Sequence, residues 1–157
     1  MKQKAQPPLI GWREWLSLPD IGIKIIKAKI DTGARSSAIH AFDIKPYFKD
    51  GKQMVRFRVH PYQKNSSKTV TTETEVIDQR EIRNSNGYSE LRFVILTHVK
   101  LDKYQWPIEL TLTNRDVMGF RMLLGRQALR QRFIIDPSKS FLVGRKPSKI
   151  PGKKGKR

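Results

Sequence analysis

The sequence of 157 residues contains no cysteine. Disulfide frameworks, iron–sulfur clusters, thiolate zinc sites and cysteine nucleophiles are therefore excluded. Histidine is almost as scarce, since His40, His60 and His98 are the only three and no two have a spacing typical of a metal-binding pair. We therefore expect no metal site, and a metallopeptidase is a poor candidate. We expect the three histidines to be surface or strand-face residues.

Long hydrophobic runs are also missing. No segment approaches the roughly 20 apolar residues that a membrane-spanning helix needs. The polar residues 1–8 do not lead into the apolar segment of a secretory signal. We therefore expect a cytoplasmic protein with no membrane partner.

Acidic residues are few, with 14 Asp and Glu against 32 Lys and Arg and a net charge of +18. Such an excess predicts polyanionic partners, not a particular fold. Seven of the cations lie in residues 145–157, which hold no acid. We expect 1–8 to be a disordered lead-in, 9–144 one folded domain and 145–157 a disordered basic tail. The tail is either a solubilising extension or a weak, salt-sensitive contact to RNA or the ribosome.

Most of the folded part has the period of two that is typical of half-buried strands. Apolar residues alternate with polar ones in three segments, namely residues 26–30, 55–59 and 108–112. Residues 91–96 are apolar on both faces, which predicts a central strand. The polar stretch 63–72 predicts a loop.

Turn signals divide these strands. Asn86-Gly87 stands between the strand-like residues 81–83 and 88–94, and Asn-Gly is a strong signal for a hairpin. Gly125 can begin one short helix with Leu129 and Phe133 on one face, and Pro137 prevents its continuation. Residues 141–143 predict a final strand. The sequence therefore predicts an all-β protein with a small closed or sandwiched architecture and one short helix.

The segment that carries chemistry is Asp31-Thr32-Gly33, directly after a predicted strand. Two carboxylates about 3 Å apart share one proton, so that one acts as a base and the other as an acid. Asp31 supplies such a carboxylate, the Thr32 hydroxyl can brace the loop, and Gly33 permits close backbone approach. Asp-x-Gly is also ordinary turn chemistry, so the tripeptide alone leaves both interpretations open.

The wider context resembles the retropepsin-like aspartic peptidases. It is carried by the order of the elements and by four segments: IGWREW at 10–15, KAKIDTGARSSA at 27–38, MLLGR at 122–126 and FIIDP at 133–137. The combination resembles the bacterial branch that is often labelled an ATP-dependent zinc protease, and it covers nearly all of residues 9–144. The sequence has no GxxxxGK[ST] loop and too few histidines for a zinc cluster. We therefore expect neither ATP nor zinc, and no other cofactor.

The resemblance implies a small closed β-barrel in which Asp31 is the catalytic aspartate, Thr32 braces the active-site loops and Gly33 is the close-approach position. It also implies that residues 84–88 form a flap over the substrate and that residues 123–125 pack beside the catalytic loop. The substrate-binding residues would be Ala34, Arg35, Asn86, Gly87 and Tyr88. Because Asp-Thr-Gly occurs once, the dyad requires a homodimer with one Asp31 from each chain. The monomer would be inactive.

Arg35 departs from the small or acidic residues that are usual after this motif in viral relatives. A cation there would attract an acidic substrate side chain, although it could instead face solvent or form a structural ion pair. Members of the family are associated with ATP-grasp ligases that add glutamate tails to a ribosomal protein. The resemblance therefore implies an aspartic peptidase that trims or processes acidic proteins. The alternative is a non-catalytic basic protein that binds RNA, the ribosome or an acidic polypeptide on the same scaffold.

Overall fold

Strands dominate the computed structural model, which describes residues 6–62, 68–83 and 86–144. The first half of the chain forms β1 (Leu9–Gly11), β2 (Arg13–Leu18), β3 (Ile23–Asp31), β4 (Ser37–His40), β5 (Phe42–Lys49) and β6 (Lys52–Val59). The second half forms β7 (Val70–Glu75), β8 (Asp78–Arg83), β9 (Ser89–Leu101), β10 (Tyr104–Thr113), β11 (Met122–Gly125) and β12 (Ile134–Asp136). One short helix, α1 (Arg126–Leu129), follows β11.

Six strands close into a barrel. Their order is β10-β4-β11-β3-β2-β9, and β9 pairs back onto β10 while β8 extends the sheet beyond β9. The inward faces supply one core, in which Ile26, Ala28 and Leu110 have no exposed surface. The predicted all-β closed barrel with one short helix is therefore confirmed.

The crossing of β3, β11 and β4 positions the candidate site. β11 pairs in parallel with β3 on one side and antiparallel with β4 on the other. Because β11 lies between these two strands, residues 32–36 that join them must pass across its end. The segment that carries Asp-Thr-Gly is therefore held at one end of the barrel.

A separate three-stranded sheet, β5-β6-β7, packs on the barrel. Val55, Phe57 and Val59 of β6 are fully buried in the common core, as their alternation predicts. The predicted loop over 63–72 is wrong at its end, because β7 begins at Val70. The run Thr69–Thr72 is rich in β-branched residues, which favour an extended strand beside β6. Residues 63–67 lie outside the described residues.

Strand β9 has partners on both edges, as predicted for a central strand, but it is not buried on both faces, because Leu91 and Leu96 are exposed at 61% and 55%. Leu91 lies on the β8–β9 hairpin beyond the barrel pairing, and Leu96 faces outward from the barrel wall. Thr111, which the alternation over 108–112 places on the polar face, is 1% exposed, as is Thr113. Polar side chains of β9 cover this face of β10 and form hydrogen bonds with both threonines, which the alternation within β10 does not reveal.

Helix α1 is shorter than the spacing of Leu129 and Phe133 suggests. It begins directly after Gly125, as predicted, but ends at Leu129, so Phe133 lies beyond it. The backbone of Gln131 has a φ of 67°, which turns the chain out of the helix. Leu129 and Phe133 are nevertheless both buried in the core.

The last strand is β12, and the predicted strand over 141–143 is wrong. The N–H groups of Leu142 and Val143 donate to the carboxylate of Glu14, not to a neighbouring strand.

Near the start of the described residues, the Pro8 carbonyl accepts a hydrogen bond from the Ile134 N–H at 2.9 Å. The predicted basic tail, 145–157, lies outside the described residues. Within the described part, no helix has the length and hydropathy to cross a membrane.

Candidate active site

Asp31 is the last residue of β3, and its backbone is paired with that of Gly125 in β11. Its Oδ1 accepts a hydrogen bond from the Gly33 N–H at 3.0 Å, and its carbonyl accepts from the Ala34 N–H at 3.2 Å. A Cβ on Gly33 would lie 3.3 Å from Oδ1, so glycine lets the loop fold tightly around the carboxylate. The half-buried Asp31 is thus held by its own loop at the open end of the barrel.

Backbone hydrogen bonds from the first residues of α1 hold the Asp-Thr-Gly loop in place. Arg126 N–H donates to the Ala34 carbonyl at 2.6 Å, and Gln127 N–H donates to the Arg35 carbonyl at 3.1 Å. The Gly125 N–H donates to Ser37 Oγ at 3.0 Å in a buried position. The Leu-Leu-Gly segment therefore packs beside the Asp-Thr-Gly loop, in the arrangement that the resemblance implies.

Thr32 is exposed, and its carbonyl accepts from Arg126 Nη1 at 3.1 Å. Among the described residues of one chain, its hydroxyl has no hydrogen-bond partner. A bracing role for this hydroxyl would require the loop of a second protomer, and so it stays a prediction.

Arg35 opens onto a groove of about 580 Å³ that joins the end of the Asp-Thr-Gly loop to the hairpin. The groove is lined by the end of the loop, by residues 80–82 of β8, by β10 and by α1. Arg80 donates to Asp78 at 2.7 Å and to Glu109 at 2.6 Å, so its charge is neutralised. Arg35 is exposed and has no ion-pair partner among the residues that the structure describes. The interpretation of Arg35 as half of a structural ion pair is therefore not supported.

Arg132 is a second cation of this groove that the sequence did not single out. Its guanidinium lies over the ring of Trp106 at 5.5 Å, and the Trp106 Nε1–H donates to the Ala128 carbonyl at 3.0 Å. Trp106 is thereby a buried support for an exposed arginine. Glu81 also lines the groove and offsets part of the positive charge.

The β8–β9 hairpin is present at the place that Asn-Gly predicts, with Arg83 paired to Ser89. Asn86, Gly87 and Tyr88 are exposed at its tip, and Gly87 has the φ of 88° that favours glycine. These three residues do not line the groove. The structure thus holds Asp31, Gly33, Ala34 and Arg35 in one loop, and the tip residues are not part of the groove that Arg35 borders.

Two polar residues that lie behind the Asp-Thr-Gly loop were not predicted from the sequence. Thr111 Oγ1 donates to the Ser37 carbonyl at 2.9 Å, and Arg92 Nη1 donates to Thr111 Oγ1 at 3.3 Å. Neither residue carries a sequence signal of a site, since threonine alternating with leucine is typical of an exposed strand face. Only the pairing of β10 with β4 places Thr111 behind the loop.

The described residues contain no group of three His, Asp or Glu side chains arranged to hold a metal ion. The groups that the loop itself offers for chemistry are the Asp31 carboxylate and the N–H donors around it.

Comparisons with known proteins agree with this geometry. The sequence profile of the family described as "Retropepsin-like aspartic endopeptidase RimB" matches residues 9–146. The chain is 48% identical over 153 residues to a probable alpha-L-glutamate ligase of Desulfotalea psychrophila, covering 98% of this chain and 33% of the relative. It is 46% identical over 138 residues to a protein of the same name from Shewanella pealeana, covering 88% and 30%. The chain thus spans about a third of the length of the curated relatives it matches.

A solved structure shares the fold. The crystal structure of Lpg0085 from Legionella pneumophila, a protein of unknown function, matches with a TM-score of 0.73 and 29% identity. The match covers 87% of this chain and 98% of that one.

Proposed function

Because the chain belongs to the RimB-like family of retropepsin-like aspartic endopeptidases, we propose that it hydrolyses peptide bonds with two Asp31 carboxylates, one from each protomer of a homodimer. The observation that carries this proposal is the position of Asp31 in a glycine-containing loop at the open end of the barrel. Asp-Thr-Gly occurs once in the chain, so a symmetric dimer is the economical source of the second carboxylate.

In this reaction one Asp31 is ionised and its partner is protonated, because two like charges so close together cannot both persist. The ionised carboxylate takes a proton from water as the water oxygen attacks the scissile carbonyl carbon. The protonated carboxyl donates to the carbonyl oxygen. Collapse of the resulting gem-diol breaks the C–N bond, and a proton passes to the leaving amine. No covalent intermediate with the protein forms, since water is the nucleophile.

We further propose that the substrates are acidic polypeptides, including proteins with added glutamate residues. Arg35 and Arg132 place two cations on the groove that begins at the catalytic loop, and Glu81 offsets one of them. Arginine binds carboxylates with paired hydrogen bonds. The names of the curated relatives, probable alpha-L-glutamate ligases, point to the same amino acid.

The experiment that tests the peptidase proposal uses the purified full chain with a glutamate-tailed protein and an unbiased peptide pool. Asp31→Asn should abolish cleavage and leave dimerisation, measured by sedimentation, unchanged. Asp50→Asn is the matched control, because Asp50 is an exposed turn residue with a φ of 52°, which asparagine also tolerates. Cleavage by Asp31→Asn at the wild-type rate would refute the proposal.

A second candidate function, binding of RNA or another polyanion, is favoured by a separate lysine groove. This groove has a volume of about 620 Å³, and three lysines and one acid line it: Lys24, Lys100, Lys103 and Asp102. It lies at the opposite end of β3 from Asp31, and Gly144, which leads into the basic segment 145–157, borders it. Salt-sensitive binding of RNA that Lys24→Gln weakens and Lys52→Gln does not would support this function.

A further inference from the structure

A largely buried row of polar groups joins the part of β9 next to the hairpin turn to the end of the Asp-Thr-Gly loop. Arg92 Nε donates to Glu90 Oε1 at 3.1 Å, and Arg92 Nη1 donates to Thr111 Oγ1 at 3.3 Å. Thr111 Oγ1 in turn donates to the Ser37 carbonyl at 2.9 Å. We call these four residues, Glu90, Arg92, Thr111 and Ser37, the polar bridge.

The polar bridge ends beside the candidate catalytic residue. Ser37 Oγ accepts from the Gly125 N–H at 3.0 Å, and Gly125 is the backbone partner of Asp31. Ser37 is held through both its carbonyl and its hydroxyl, and it directly follows the loop of residues 32–36. The position of Ser37 therefore decides where the loop that carries Asp31 can run.

The other end of the polar bridge is fixed as well. Thr113 Oγ1 donates to both oxygens of the Glu90 carboxylate at 3.1 Å, and Arg115 Nε lies 3.6 Å from Oε1. Glu90 is only one residue beyond Ser89, which pairs with Arg83 at the base of the hairpin turn. A displacement of the hairpin therefore acts on Glu90 and Arg92 first.

Most of the polar bridge is buried, so the loss of one of its hydrogen bonds would leave a polar group unpaired away from water. Arg92 is 8% exposed, Thr111 1% and Ser37 2%, and buried polar groups are unfavourable unless they are hydrogen-bonded. Thr97 on β9 is just as buried as Thr111, yet its hydroxyl has no hydrogen-bond partner among the residues that the structure describes. The barrel wall thus accommodates a buried threonine without such a connection, which makes Thr97 the matched control.

We propose that Arg92 and Thr111 are positioning residues, which keep the Asp31 loop in its reactive geometry by holding Ser37 in place. This inference rests on the proposed peptidase function. Thr111 borders the groove but is almost completely buried, so its hydroxyl serves the Ser37 carbonyl. Its loss should therefore affect the rate of the chemical step more than substrate binding.

The test compares Thr111→Val, Thr111→Ser and Thr97→Val by steady-state cleavage of a peptide that the wild type hydrolyses. We expect kcat of Thr111→Val to fall on the order of 10-fold, since small misplacements of catalytic groups have effects of this size or larger. KM should stay within about 2-fold, because ground-state binding is unaffected. Thr111→Ser, which retains the hydroxyl, should recover most of the rate, and Thr97→Val should match the wild type.

Hydrogen exchange gives a readout that does not depend on activity. In Thr111→Val, the amides of residues 33–37 and 122–125 should exchange faster than in the wild type, and those of β5 and β6 should not. Arg92→Met provides a second variant with the same expected pattern if Thr111→Val folds poorly.

Wild-type kcat and wild-type exchange in Thr111→Val would overturn the positioning role, and so would a rise in KM alone. Equal losses in Thr111→Val and Thr97→Val would reduce the effect to general stability and also overturn it. A wild-type protein that cleaves no peptide would instead refute the proposed function, and the exchange comparison would still decide whether Thr111 holds the loop.

Discussion

Gly125 lies so close to Ser36 that no side chain fits between them: a Cβ on Gly125 would lie 2.5 Å from the Ser36 carbonyl oxygen. The same Cβ would lie 2.9 Å from the Ala34 carbonyl oxygen. The path of the Asp-Thr-Gly loop thus requires glycine at the end of β11, because any Cβ there would overlap the backbone of the loop.

Gly125→Ala should therefore displace the loop and destabilise the protein. We expect the free energy of unfolding to fall by about 2 kcal/mol or more, because overpacking a tight site has effects of this size. Urea denaturation of the variant and of the wild type measures this difference in the free energy of unfolding. Gly33→Ala is the comparison, since its Cβ would meet only the Asp31 carboxylate at 3.3 Å and should change stability less. Equal stability of both variants would contradict the tight contact at Gly125.

Glu14→Gln should be strongly destabilising. The fully buried carboxylate accepts four backbone N–H hydrogen bonds, from Gly11 at 2.6 Å, Leu142 at 2.9 Å, Val143 at 3.1 Å and Gly144 at 2.6 Å. An amide removes the charge and turns an N–H₂ group toward donors, which should lower the free energy of unfolding by about 2–4 kcal/mol. The exposed Glu81→Gln should have almost no effect in the same denaturation experiment.

His40 should make stability depend on pH. Burial, and then the positive charge of Arg121, lower the pKa of His40 below its ordinary value of 6.5. Smaller contributions come from the Asn114 backbone and Asp116, which raise it, and from His60, which lowers it.

The folded state thus favours neutral His40, while the unfolded chain takes up a proton near the ordinary value. The contribution of His40 to stability is complete above about pH 6.5 and declines as the pH falls below it. The midpoint of urea denaturation should fall more between pH 7.5 and about pH 5.5 in the wild type than in His40→Gln. If the urea midpoints of the wild type and His40→Gln change by the same amount with pH, His40 does not cause the effect.

Arg132→Ala should weaken the binding of acidic substrates. Because a hydrogen bond to a charged group contributes about 1.5–3 kcal/mol, we expect KM for a glutamate-rich peptide to rise by about 10-fold at low salt. The value of kcat should hardly change, and the difference should shrink as salt screens the charges. Arg130→Ala is the matched control, since Arg130 is exposed on the neighbouring turn and does not line the groove. The same KM in both variants would remove Arg132 from the substrate site.

Local signals predicted the strands and turns that repeat a simple pattern. The alternation at 26–30 and 55–59 gave the buried faces of β3 and β6, and Asn86-Gly87 gave the hairpin, because these features depend on neighbours in sequence. The strand predicted at 141–143 failed because the N–H groups of Leu142 and Val143 are bound by Glu14, more than 120 residues away. No local pattern reports such a partner.

The candidate site also has features that the sequence predicted and features that only the fold revealed. The Asp-Thr-Gly motif after a strand and the family resemblance together singled out Asp31, Thr32 and Gly33 as candidates, because the motif consists of three consecutive residues; their roles stay predictions. The positions of Arg132, Thr111 and Arg92 behind or beside that loop depended on the closing of the barrel, because β10 meets β4, and β11 lies between β3 and β4, only in the folded chain. Sequence thus determined which carboxylate is available, and tertiary structure decided what surrounds it, because long-range strand pairing is set by the whole core and not by any one segment.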